Sequence, residues 1–167
     1  IHIGYKDGTI LLYFGEAKLY EDCSAAVKEA LKSISQIATN PEKRDFEISL
    51  INRYIDIDNV ECKQEILDYL NPYSQKNKYM KMVFSCFIGF DFAEYKKIKT
   101  LSPEEVKSYF EQKYRDYAKQ ICEIIQKEIQ VKNITDFNIQ FFLLPFPSVK
   151  DFRKSFYDKI GMPNDFE

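Results

Sequence analysis

Glu16 and Lys18 are the residues of this chain whose types and spacing best suit chemistry. They close an apolar run, Thr9-Ile10-Leu11-Leu12-Tyr13-Phe14-Gly15, that reads as a strand, and a helix-like segment follows them. Side chains two residues apart on a strand point to the same face. A carboxylate there can hold a hard divalent cation. An ammonium group beside it can steady an attacking water or the charge on a phosphate. The pair therefore suits magnesium-dependent hydrolysis of a phosphodiester.

The spacing alone is common. Glu-x-Lys also occurs at Glu61/Lys63, Glu94/Lys96, Glu105/Lys107 and Glu111/Lys113. The last two lie on a strongly helical pattern, where positions i and i+2 point apart. Glu61/Lys63 also reads as helical, and Glu94/Lys96 sits in a polar, basic connection. Only Glu16/Lys18 has a strand context. The same two residues also read as a solvated ion pair at a strand end, worth ~0–1 kcal/mol.

The elements that must position the pair follow from patterning. Asp7-Gly8 is a two-residue hairpin signal between His2–Lys6 and a strand over Thr9–Lys18. Glu21 or Asp22 starts a helix whose apolar face is Cys23, Val27, Ala30, Leu31, Ile34 and Ala38. Asn40-Pro41 ends it and opens the next, on which Phe46, Leu50, Ile51 and Tyr54 keep a helical period. A shorter helix is predicted over Val60–Leu70, stopped by Asn71-Pro72. Residues 79–92 and 137–144 are apolar on both faces and predict strands in the middle of a covered sheet. Between them, Ser102-Pro103-Glu104-Glu105 opens the longest helix with a capping box, and Val106, Phe110, Tyr114, Tyr117, Ile121, Ile124 and Ile125 mark its buried stripe. Pro145 and Pro147 end the last strand. Ser148 caps a final helix carrying Phe152, Phe156 and Ile160, with Gly161 at its end. The order predicts an α/β fold: one domain over residues 1–167, a mixed β-sheet flanked by helices.

Bulk properties narrow the function. The 167 residues suffice for one domain with a real core, and 45% hydrophobic with 30% charged content is ordinary for a globular chain. No apolar run reaches membrane-spanning length and no signal peptide is visible, so a cytoplasmic protein is expected. A net charge of −2 argues against coating nucleic acid by bulk electrostatics. Six lysines over residues 76–99, Lys96 and Lys97 among them, suit either a phosphate backbone or a solvated loop. Lys28, off the apolar face of its helix, is a further weak candidate for a phosphate contact. The cysteines at 23, 62, 86 and 122 lack zinc spacing, and Cys23, Cys86 and Cys122 read as small buried hydrophobes. His2 has no evident partner for base catalysis.

A cation held by Glu16 needs a second carboxylate. Asp7 is wrongly placed, because it lies on the order of 30 Å away at the far end of the strand. If Asp7-Gly8 form the loop, Lys6 pairs with Thr9 and the two numbers in every pair sum to 15. Glu16 then faces a position one or two residues before Ile1. The chain opens on Ile rather than Met, so native residues are expected upstream, with an Asp or Glu among the nearest. Reading that upstream sequence tests the expectation directly.

The stretch Tyr13-Phe14-Gly15-Glu16-Ala17-Lys18-Leu19-Tyr20, followed by the Ala-bearing helix from Ser24 to Ile34, resembles the core of HamA, the effector of Hachiman anti-phage systems. Phe141-Phe142-Leu143-Leu144-Pro145-Phe146-Pro147, with a Phe-bearing helix after it, resembles the C-terminal end of that family. The resemblance covers nearly all of the chain, though family members also carry an N-terminal region. It implies a restriction-endonuclease-like PD-(D/E)xK core, truncated here at its N-terminus. It implies that Glu16 is the metal-binding acid and Lys18 the motif lysine, with the Ala17 backbone carbonyl and the upstream acid completing a site for Mg²⁺ or Mn²⁺. It also implies DNA as target and a HamB-like helicase as partner. Without the upstream acid, the fragment itself is expected to be inactive. Two other readings stand beside this one: a non-catalytic nuclease-like fold that docks a partner protein, and a structural module whose tyrosines and phenylalanines are core and interface. Tyr5, Tyr13 and Tyr20 around the motif suit either stacking on bases or covering the sheet.

Overall fold

The computed structural model describes residues 2–6, 9–54, 63–71 and 73–161. Strands β1 (His2–Lys6), β2 (Thr9–Tyr20), β3 (Lys81–Asp91) and β4 (Asn138–Phe146) form one sheet in the order β1-β2-β3-β4. The first pair is antiparallel and the other two are parallel, so the sheet is mixed as expected. Helices α1 (Cys23–Thr39), α2 (Pro41–Tyr54) and α3 (Lys63–Leu70) and a 3-10 turn at Gln75–Tyr79 connect β2 to β3. Helices α4 (Tyr95–Ile98) and α5 (Pro103–Val131) connect β3 to β4, and α6 (Val149–Ile160) ends the chain's described part.

Local sequence explains these boundaries. The Asp22 carboxylate accepts from the Ala25 amide and starts α1. Asn40 separates α1 from α2, with Pro41 opening the second. Glu105 accepts from both the amide and the hydroxyl of Ser102, closing the capping box that opens α5. Ser148 accepts from the Asp151 amide to start α6, and Gly161 ends it at φ 67°, where a side chain would be strained. The Asp7-Gly8 turn and the predicted start of α3 at Val60 lie outside the described residues.

The core lies on one face of the sheet. It joins Leu12 and Phe14 of β2, the even-numbered residues of β3 from Phe84 to Phe90, the predicted stripe of α1, and Ile121 and Ile125 of α5. The Phe14 and Phe84 rings stack across the two strands at 5.4 Å. Each such side chain contributes roughly 1.5–3 kcal/mol of burial. Among the described side chains of α2, Ile48 is buried, and Phe46, expected on the apolar face, is exposed.

The expectation that β3 and β4 are covered on both faces is corrected. Phe87 is 44% exposed, Phe142 and Leu144 are each 45% exposed, and β4 alternates along its length. Topology gives the reason. The chain moves from β2 to β3 to β4 in one direction. Right-handed crossovers then put every connecting helix on the same side. Only α6, which follows the last strand, reaches the other side. β4 is also an edge strand, which is why Pro145 sits inside it rather than ending it.

Candidate active site

Ile10, Leu12 and Phe14 are the buried row of β2, and Glu16 and Lys18 continue that row toward the strand's C-terminal end. Their side chains therefore share the helix-covered face, as the spacing required. The Lys18 ammonium lies 2.7 Å from Glu16 Oε1, and each side chain keeps 25% of its exposure. The hydrogen bond to Glu16 raises the Lys18 pKa above the ordinary lysine value; partial burial opposes the rise, and the charge of Glu16 adds to it. Lys18 is thus an ammonium ion at neutral pH. Cys86 is the residue of β3 beside Glu16, and burial together with the Glu16 charge pushes its thiol up to about 12.

The hairpin register agrees with the sequence expectation. His2↔Tyr13, Ile3↔Leu12, Gly4↔Leu11, Tyr5↔Ile10 and Lys6↔Thr9 are the observed pairs, and the numbers in each sum to 15. Among the described residues Glu16 has no partner in β1. Thr9, the first described residue after Asp7, lies seven positions from Glu16, about 23 Å along the strand.

A family model described as HamA matches residues 1–160. The chain belongs to the HamA family. Searches of the curated proteins and of the solved structures each return no match. HamA membership points to involvement in Hachiman anti-phage defence, with an effector role. Among the described residues, no helix is long and apolar enough to cross a membrane.

The other candidates of this HamA-family chain are more scattered. Ala17, between the pair, turns its side chain to the opposite face, in a row with Phe87 and Phe142. Lys28 is exposed on α1. Lys96 and Lys97 are exposed on α4; Lys97 pairs with Glu94 at 3.2 Å, and Glu94 also accepts from the Tyr109 hydroxyl of α5. Tyr20 is 38% exposed at the end of β2. Cys23 and Cys86 are buried, but Cys122 is exposed, against expectation, because it lies beside rather than on the α5 stripe.

Glu29 on α1 was missed by the sequence reading. Its charge also favours the protonated form of Lys18, so it lies within electrostatic reach of the pair. The signal was a carboxylate one turn after Ala26 at the border of an otherwise apolar helix face. Glu29 pairs with Lys32 at 3.4 Å.

The oxygen donor on this face is the Glu16 carboxylate, and the thiol of its β3 neighbour Cys86 is held protonated. That chemistry suits a hard cation such as Mg²⁺, which takes one or two carboxylates and keeps its remaining positions for water and phosphate. No group of three or more His, Cys, Asp or Glu side chains converges among the described residues. The donor types fit such a cation, and the described residues supply one carboxylate toward it.

Proposed function

We propose that this chain is the core of a metal-dependent DNA nuclease of PD-(D/E)xK type, acting as the effector of a Hachiman system. The observation that carries this reading is the pairing of Glu16 and Lys18 on one face of β2, in a chain of the HamA family. Glu16 and the Ala17 carbonyl would hold Mg²⁺ or Mn²⁺, together with an acid from the strand position facing Glu16. Among the described residues of β1 none faces Glu16, so that acid is not one of them. The bound ion would supply polarisation of the phosphate and a more acidic water. Lys18, fully charged, would orient the nucleophile and offset the negative charge that develops on the phosphate. A HamB-like helicase would be its partner on DNA.

The rival reading, a nuclease-like fold that only docks a partner, draws on the open apolar face of the sheet. Cleavage of plasmid and oligonucleotide DNA by the full-length protein, with Mg²⁺ and with EDTA, separates the two. Glu16→Gln and Lys18→Met should each lower the rate about 10²-fold or more. Equal cleavage by wild type and both variants would clear these residues of a catalytic role. Wild-type protein that binds a helicase tightly and cuts nothing would establish the docking role instead.

A further inference from the structure

The two faces of the sheet are finished differently. On the helix-covered face Phe84, Cys86, Ile88 and Phe90 are fully buried. On the other, the half-exposed Phe87 and Phe142 rings stack on each other, centroids 4.7 Å apart and planes 10° from parallel. Beside them, Ala17, Leu19, Phe152, Arg153, Phe156 and Tyr157 line an open groove of about 590 Å³ between β2 and α6. Phe152 is held against Phe146 at 4.7 Å, the Asp91 carboxylate accepts from the Val149 amide, and the Arg153 guanidinium donates to the Leu19 carbonyl. The groove is therefore fixed to the sheet at three points.

Charge around this surface is sorted. At about 100° per residue, the α6 stripe Phe152-Phe156-Ile160 has Arg153 on one flank and Lys159 on the other, while Asp151 and Asp158 fall on the far side of the helix. On α6 the charged residues nearest the aromatic stripe are therefore cations, while on the sheet side the Asp91 carboxylate shares this face and is held by the Val149 amide. Arg153 uses one of its five donors on Leu19 and has others for an anion.

We propose that this face binds single-stranded nucleic acid. Unstacked bases lie on the Phe87–Phe142 pair and enter the groove beside Phe156, and phosphates follow the Arg153 and Lys159 flanks. Flat rings bordered by cations accept any base by its π-face, whereas a duplex keeps its bases stacked internally. The inference rests on nucleic acid being the target and names its form. Because the surface lies on the opposite side of the sheet from Glu16 and Lys18, it holds the strand and takes no part in the chemistry.

The test is equilibrium anisotropy with the full-length protein in EDTA, using a labelled short oligothymidylate and a duplex of the same length. Wild type should prefer the single strand. Phe87→Leu and Phe142→Leu keep the surface apolar but remove a ring; each should weaken single-strand binding roughly 5- to 150-fold. Phe142→Tyr should retain it. These 167 residues hold no tryptophan, so Phe142→Trp introduces an emitter at the rings, read as the difference from wild type, that oligothymidylate should quench. Unchanged affinity in both leucine variants, or saturable binding that leaves the new tryptophan unquenched, overturns the proposal. So does a homodimer or a helicase complex that Phe87→Glu dissociates while oligonucleotide binding is unaffected. With Mg²⁺ in place of EDTA, an oligonucleotide that still binds through these rings and stays uncut supports the platform and sinks the nuclease reading. Cleavage lost in Glu16→Gln, with leucine variants that bind normally, does the reverse.

Discussion

Breaking the Glu16–Lys18 pair should leave the fold nearly as stable as before while removing the proposed hydrolysis. The charges are 2.7 Å apart, so a water-like dielectric gives about 1.5 kcal/mol of attraction. Ordering two side chains, each with a quarter of its surface in solvent, offsets much of that. Pairs of this kind couple by roughly 0.2–1 kcal/mol. Urea unfolding of wild type, Glu16→Gln, Lys18→Met and the double variant measures the coupling directly. In heat it corresponds to a shift of about 2–4 °C per kcal/mol. The pH dependence has a definite sign. The Lys18 pKa is raised in the folded protein, so its contribution is complete below the unfolded lysine value, about 10.4, and is lost as pH rises through the higher folded value. The coupling should therefore be flat between about pH 6 and 9. A coupling of about 3 kcal/mol or more would mark a buried structural pair and refute the argument that the site is built for a ligand.

Three further outcomes follow from packing. A Cβ on Gly89 would lie 2.4 Å from Leu19 Cδ2 and 2.9 Å from Phe146 Cε2, whereas one on Gly15 meets nothing within 4 Å. Gly89→Ala should cost about 1–3 kcal/mol and Gly15→Ala less than about 0.5, as read from denaturant midpoints. Phe84 is fully buried between Phe14 and Phe137, so Phe84→Ala should cost about 3–5 kcal/mol in the same experiment. Burial pushes the Cys23 and Cys86 thiols up to about 12, while Cys122 is exposed. A thiol reagent near neutral pH should modify Cys122 in the folded protein and reach the other two only after unfolding, which peptide mass spectrometry would resolve.

Much of the site's scaffold was legible in the sequence because it depends on local rules. The β1–β2 register, the α1 stripe, the capping box at Ser102 and the αL end at Gly161 are each set by residues within a turn or two of one another. What the sequence hid depends on where the crossovers go. Val83, Phe87 and Gly89, or Phe142 and Leu144, are apolar whether a helix covers them or not. The open face appears only once the handedness of two connections is counted. Glu29 was hidden for a similar reason: its reach toward Lys18 comes from α1 packing on β2, not from spacing in the chain.

The position of the charged pair within β2 carries its own argument. Even-numbered residues of this strand are apolar and buried up to Phe14, and the same row then becomes Glu16 and Lys18. A core-facing row that turns ionic costs desolvation unless it has left the covered region or meets a ligand. Here it does so toward the carboxyl end of β2, and β3 and β4 run parallel to it, so three strands end on one side. Open α/β sheets bind ligands in the crevice outside those ends. Ala17, with its side chain on the reverse face, joins the two surfaces of the strand. A bulky residue there should disturb the α6 groove first and the Glu16–Lys18 spacing only through the backbone. Phe156→Leu, in the groove and outside the Glu16–Lys18 site, separates the two: single-strand binding should fall while cleavage of a saturating substrate persists. Loss of both to the same degree would mean that the faces act as one site.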